Sequence, residues 1–130
     1  MKREMDLVRK ILSVMEDDEF YLSFSEGFLP KIQDYREEQI LYHMKIMAQA
    51  GLLHIDSYEI EAGAPGQTIT TKSYSISWDG HEFLAAARND TFWNRAKLEM
   101  GKVLGGSGRF MLPVLTQLLT SYLKAELKLP

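Results

Sequence analysis

The stretch that decides the fold is Gln39-Ile40-Leu41-Tyr42-His43-Met44-Lys45-Ile46-Met47-Ala48-Gln49-Ala50-Gly51-Leu52. Its buried-face candidates recur every three or four positions, which is the spacing of one face of a helix. These residues are Ile40, Met44, Met47 and Ala48. Glycine adopts the left-handed conformation without a steric penalty, so Gly51 is expected to end the helix. The stretch therefore predicts a helix over residues 35–50 with one face turned away from the core.

The segment before this helix predicts a first helix and a short strand. Residues 5–16 carry apolar residues at helical spacing, and an acidic cluster follows, which is unfavourable at the negative end of a helix and marks its exit. Alternation at Phe20, Leu22 and Phe24 then indicates a strand. Asp34-Tyr35-Arg36-Glu37 has the spacing of a capping box, so Asp34 is expected to cap the second helix.

The segment after Gly51 predicts a β-hairpin that leads directly into further helix. Residues 53–60 alternate imperfectly, Ala62-Gly63-Ala64-Pro65-Gly66 forms a turn, and Tyr74, Ile76 and Trp78 alternate with serines, so this second strand should place one face on the core. Asp79-Gly80-His81-Glu82 repeats the capping-box spacing and opens a helix that runs on to Met100, with Asn89-Asp90 as a candidate break.

The C-terminal segment predicts a separate amphipathic helix. Gly105-Gly106-Ser107-Gly108 reads as a flexible joint, and Pro113 suits the first turn of a helix. We therefore divide the chain into a domain over residues 1–100 and a joint with a terminal helix over residues 101–130. The apolar stripe of this helix is a candidate dimer or partner interface, and packing within the chain is an equal alternative. The stripe consists of Leu115, Leu118, Leu119 and Tyr122.

Composition narrows the class of protein. The chain has 130 residues, no cysteine and a net charge of −3, which suits one α+β domain with a real core and argues against non-specific nucleic-acid binding. No stretch resembles a signal peptide or a membrane span, so a cytoplasmic location without membrane partners is expected. The sequence shows no pairing of a nucleophile with a base and no phosphate loop. The cluster Asp79-x-His81-Glu82 has the spacing of metal ligands, but a capping box explains it without a metal. We expect no enzyme activity, cofactor or metal.

Two resemblances add to this picture. Residues 34–84, and above all the helix that ends in Ala50-Gly51-Leu52, resemble winged-helix repressors, which implies a winged helix-turn-helix-like core with a two- or three-stranded antiparallel wing and additional C-terminal helices. The whole chain is similar to a family of small uncharacterised bacterial and phage proteins, a domain of unknown function, through residues 1–12, Tyr42-His43 and residues 78–93. One departure is the short interval between Ser25 and Asp34, which leaves little room for the helix that precedes a recognition helix.

The winged-helix resemblance implies a DNA-binding regulator of bacterial or phage origin that acts as a homodimer on double-stranded DNA. Recognition helices offer Arg, Lys, Asn or Gln to base edges and phosphates. The candidate contacts are Arg36, Gln39, Tyr42, His43 and Lys45, with Lys72 on the wing. Gln39 is expected to read adenine, Arg36 and Lys45 to hold phosphates, and Tyr42 or His43 to contact the sugar or backbone. Two alternatives stay open: the face is simply the solvated side of a core helix, or the same fold is a protein-protein interaction module that binds another bacterial or phage protein.

Overall fold

The computed structural model describes residues 1–17, 24–25, 29–104 and 111–130. In order, the elements are α1 (Met5–Asp17), β1 (Phe24–Ser25), α2 (Glu37–Gln49), β2 (Leu53–Glu61), β3 (Thr68–Ile76), α3 (Trp78–Ala87), α4 (Asp90–Leu104) and α5 (Leu112–Glu126). The strands form one antiparallel sheet in the order β1-β3-β2. The expected α+β class is confirmed. The expected strand at residues 20–24 and the glycine joint lie largely outside the described residues, and none of the helices described is long and apolar enough to cross a membrane.

The predicted start of α2 is wrong by two residues, whereas its predicted end is confirmed. Asp34 sits in a turn with a φ of 72°, so Arg36 becomes the N-cap and its backbone N–H donates to the side-chain oxygen of Gln39 at 3.1 Å. Gly51 has a φ of 84°, and the N–H of Leu52 donates to the carbonyl of Met47 at 2.9 Å. The glycine therefore closes α2 with the reversal expected of a left-handed residue.

The β2–β3 hairpin pairs nine residues on each strand without interruption, from Leu53 opposite Ile76 to Glu61 opposite Thr68. Tyr74 is buried as expected, but the prediction that Trp78 continues the core face is wrong, because Trp78 is the first residue of α3 and is 78% exposed. The hydroxyl of Ser77 accepts from the N–H of Gly80 at 3.0 Å. Ser77 is therefore the N-cap of α3, and the capping box expected at residues 79–82 is not formed.

The break expected near Asn89-Asp90 is confirmed. The structure divides this segment into α3 and α4. The side-chain oxygen of Asn89 accepts from the backbone N–H of Phe92 at 3.0 Å, which satisfies one of the donors that the start of a helix leaves unpaired.

The stripe on α5 is covered by the protein's own helices, which corrects the expectation of a dimer or partner interface there. Leu115, Leu119 and Tyr122 are buried, and Leu118 packs half-buried against the same core. The Tyr122 hydroxyl donates to Glu99 on α4 at 2.5 Å. Burial and this carboxylate together raise the pKa of Tyr122 to about 12. The terminal helix is thus packed on α3 and α4.

Asp6 ties the first turn of α1 to α4. Its carboxylate accepts from the indole N–H of Trp93 at 2.7 Å and from the ammonium of Lys97 at 2.8 Å. Partial burial by itself raises the pKa of Asp6, but the hydrogen bonds from Lys97 and Trp93 and the charges of Lys97 and Arg9 outweigh it and lower that pKa below its ordinary value of 3.8. A carboxyl whose pKa is depressed on folding stabilises the fold above its unfolded pKa and loses this contribution as the pH falls.

We therefore expect Asp6→Asn to flatten the acid limb of the stability curve. In the parent protein the Tm should fall as the pH drops below about 4, where Asp6 begins to bind a proton more readily in the unfolded chain. Asp6→Asn has no carboxyl at this position, so its Tm should already be lower at pH 7 and should fall less than that of the parent protein on acidification. Thermal melts followed by circular dichroism between pH 7 and pH 3 measure this difference. Parallel curves for the two proteins would contradict the assignment.

Candidate nucleic-acid interface

The outward face of α2 runs along the helix at three- and four-residue spacing. It consists of Glu38, Tyr42, Lys45 and Gln49, all exposed. Glu37 adds a second carboxylate beside Glu38 in the first turn, where it is favourable for the helix dipole. The acids are therefore concentrated at the N-terminal end of α2, while the C-terminal half of this face carries a lysine and an amide.

Two lysines that are distant in the sequence meet at one cleft between α2 and the hairpin. Lys45 and Gln49 from α2 and Lys72 and Ile55 from the strands line a concavity of about 480 Å³, with the buried ring of Tyr74 also in its lining. Ile55 lies opposite Tyr74 in the register. Lys72 precedes Tyr74 by two residues on β3, so the two side chains lie on the same face of the sheet. The fold thus brings together two of the sequence-predicted contacts, Lys45 and Lys72.

His43 has to be removed from the candidate contacts. Its ring is fully buried. The backbone N–H of Glu4 donates to Nε2 at 2.9 Å, so Nδ1 carries the ring proton and donates to the carbonyl of Gln39 at 2.7 Å. Both nitrogens are therefore used inside the protein, and His43 holds the segment before α1 against α2.

Arg36 and Gln39 are placed at the N-terminus of α2, and only the arginine is exposed there. Gln39 is half-buried and its amide oxygen caps the helix. A glutamine that reads adenine needs both its oxygen and its nitrogen. The cap uses one of the two lone pairs of this oxygen, so it competes with the expected role of Gln39 as a base-reading residue. Arg36 and Tyr42 stay available on the surface, the latter 37% exposed and edge-on to His43.

Gln49 is the residue on this face that sequence reasoning missed. It lines the same cleft as Lys45 and is exposed near the end of α2. The signal was present in the sequence, because Gln49 follows Lys45 by four residues and therefore shares its helix face.

The exposed part of the hairpin is acidic. Asp56, Glu59 and Glu61 of β2 are all exposed, and Lys72 of β3 is the one basic residue between residues 53 and 76 that carries a permanent positive charge. His54 contacts Asp56 at 3.1 Å. The outer hairpin would therefore repel a phosphate backbone, and only its root beside α2 is suited to contact one.

No cluster that could hold a metal ion occurs among the residues described. A second concavity of about 890 Å³ lies between α3 and α5, and its lining includes Phe83, Pro113 and Thr116.

Comparison with known proteins places the chain in a family. A family model described as "Hypothetical protein (DUF2513)" matches residues 2–107, which leaves α5 outside the match. An "Uncharacterized protein" of Haemophilus influenzae is 33% identical over 99 residues, covering 75% of this chain and 76% of that relative. No solved structure matches. With α1 to α4 inside the matched region, the chain belongs to this DUF2513 family of hypothetical proteins.

Proposed function

We propose that the protein is a DNA-binding regulator of winged-helix type that contacts a duplex through α2 and the root of the hairpin. The observation that carries the proposal is the cleft lined by Lys45 and Lys72. Two ammonium groups on one concave surface can neutralise neighbouring phosphates, which is the main source of affinity for DNA.

The order of the elements supports this proposal. Apart from one helix before α2, the series α1, β1, α2, β2, β3 follows the order expected of a winged helix, in which α2 would be the recognition helix. Residues 29–36 contain a turn in place of the helix that precedes a recognition helix in ordinary members of that class. Here the hydrogen bond from Glu4 to His43 and the packing of α1 support α2 instead. The bacterial relative fits the expected bacterial or phage origin.

The contacts in this proposal divide into contacts with the DNA backbone and reading of base edges. Lys45, Lys72 and Arg36 hold phosphates, and Tyr42 also contacts the sugar-phosphate backbone. Gln49 has both an amide donor and an acceptor at the cleft, and it takes the base-reading role first expected of Gln39. The expected homodimer stays part of the proposal, with two α2 helices about one DNA turn apart, but its contact surface lies outside the α5 stripe.

We expect Lys45→Ala/Lys72→Ala to weaken duplex binding and to reduce its salt dependence. The logarithm of the affinity should change with the logarithm of salt concentration by a slope about 2 smaller than in the parent protein, since each phosphate contact contributes about 0.9. Fluorescence anisotropy of a labelled mixed-sequence duplex, titrated between about 50 mM and about 200 mM salt, measures this slope.

The matched control is Lys102→Ala/Lys124→Ala, which removes the same charge from exposed positions on α4 and α5. It should bind DNA with the parent's slope. An equal loss in both double variants would mean that net charge alone is responsible. If the parent protein binds no duplex even at low salt, the DNA proposal is wrong.

A second candidate function, binding of another protein without DNA, is favoured by the charge of the hairpin. β2 carries three exposed carboxylates, whereas β3 carries one lysine. Such a surface is suited to a basic partner rather than to phosphate.

A further inference from the structure

β2 is an edge strand with backbone groups directed away from the sheet. In the order β1-β3-β2, β3 covers one side of β2 and no described strand pairs with the other. The N–H of Ser77 donates to the carbonyl of Leu52, and the N–H of Ala62 donates to the carbonyl of Gln67. These two hydrogen bonds, one at each end of the hairpin, show which residues of β2 are hydrogen-bonded to β3. Even-numbered residues of β2 therefore bond to β3, and odd-numbered residues direct their N–H and C=O groups outward. The exposed outward residues are Ile55, Ser57, Glu59 and Glu61.

The two faces of the exposed hairpin differ in chemistry. Tyr58 and Ile60 lie on one face with Ile69, which is directly opposite Ile60, and these three side chains are 44% to 54% exposed. Glu59 and Glu61 lie on the other face, because successive side chains of a strand alternate. A strand added beside residues 58–61 of β2 would therefore meet apolar side chains on one face and carboxylates on the other.

β2 lacks most of the features that protect an edge strand. Natural edge strands are protected by charged side chains, above all lysine, by proline or by a bulge. β2 contains neither lysine nor proline, and its pairing with β3 has no bulge over all nine residues. Its charges are acidic only, apart from His54 beside Asp56. A second copy of the same edge would bring like charges together, whereas a basic strand would neutralise them.

We propose that the outer edge of β2 binds an extended segment of a partner protein in which basic and apolar residues alternate. The segment adds as a strand, and its backbone bonds to the outward groups of Ile55, Ser57 and Glu59. Its apolar side chains pack beside Tyr58 and Ile60, and its lysine or arginine side chains pair with Glu59 and Glu61. The two proposed sites adjoin at Ile55, which also lines the cleft beside Lys45 and Lys72, but strand addition uses neither of these lysines nor the exposed face of α2.

The test uses a short labelled peptide that alternates lysine and valine, titrated with the whole protein and followed by fluorescence anisotropy. Ser57→Pro removes one outward N–H without removing a hydrogen bond to β3, a place where edge strands tolerate proline. We expect it to weaken binding about tenfold. Glu59→Gln/Glu61→Gln preserves side-chain shape and should weaken binding while lowering its salt dependence. Lys45→Ala/Lys72→Ala should bind the peptide no less tightly than the parent protein does.

Two control peptides separate strand addition from simple charge attraction. One has the same composition with all lysines preceding all valines, and the other alternates glutamate and valine; both should bind far more weakly. The proposal is overturned if the alternating basic peptide does not bind, if Ser57→Pro binds it like the parent, or if the block peptide binds equally well. It is also overturned if the edge is occupied by a second copy, seen as a dimer by light scattering that Ser57→Pro disrupts. Circular dichroism confirms that Ser57→Pro is folded, and the glutamine variant tests the site independently of proline.

Discussion

Gly80→Ala is expected to destabilise the protein by about 3 kcal/mol or more, or to prevent folding. A Cβ at this position would lie 2.1 Å from the backbone carbonyl oxygen of Leu52 and 2.9 Å from Cγ2 of Ile76. The nearer obstacle is backbone, so it cannot be relieved by rotating a side chain. Gly80 lies in the first turn of α3, against the end of α2 and the root of the hairpin. The substitution would therefore push apart the elements that form the lysine-lined cleft.

Gly101→Ala is the matched control for this variant. Gly101 lies within α4, and among the described residues a Cβ built there meets no atom within 4 Å beyond its chain neighbours and the backbone of its own helix. Since alanine costs less conformational entropy in a helix than glycine does, we expect this variant to be more stable by about 0.5–1 kcal/mol. Urea denaturation of the three proteins at pH 7 gives both free-energy changes. Similar stability for Gly80→Ala and the parent protein would contradict the close approach of α3 to Leu52.

Trp93→Ala is expected to destabilise the protein by about 3–5 kcal/mol, the usual cost of deleting a large buried aromatic side chain. Trp93 is 1% exposed and packs edge-on to Phe83, with the ring centroids 6.3 Å apart. Its indole N–H also donates to Asp6 on α1, so the substitution removes both a core side chain and a link between α1 and α4. Urea denaturation followed by far-ultraviolet circular dichroism measures the loss.

Trp78→Ala provides the comparison for the second tryptophan. Trp78 is 78% exposed and donates to Glu82, one turn further along α3, at 2.8 Å. Its removal should change the free energy of unfolding by less than about 0.5 kcal/mol. The fluorescence of Trp78→Ala should then report the buried Trp93 alone and be blue-shifted relative to that of Trp93→Ala. A large loss of stability in Trp78→Ala would mean that this ring is buried in solution.

Local patterns in the sequence were sufficient for most of the elements. The spacing of apolar residues located α1 and α2, Gly51 ended α2, and Asn89-Asp90 separated α3 from α4. These signals act within a few residues of one another, through helical periodicity and through conformations that particular residues favour. The same reasoning misplaced two helix starts. The predicted cap of α2 is Asp34, but the cap in the structure is Arg36. For α3 the predicted cap is Asp79, but the cap in the structure is Ser77. A choice between neighbouring caps depends on the turn or strand that leads into the helix.

The tertiary structure decided which of the candidate residues share a surface. Sequence reasoning placed His43 on an exposed helix face, yet the hydrogen bond from Glu4 and the packing of α1 bury it. It left the stripe on α5 open to a partner, and α3 and α4 cover that stripe. It treated Lys45 and Lys72 as separate contacts, and the folding of the hairpin onto α2 brings them to one cleft. Periodicity determines which side of a helix is apolar, but only contacts between distant segments determine what lies against that side.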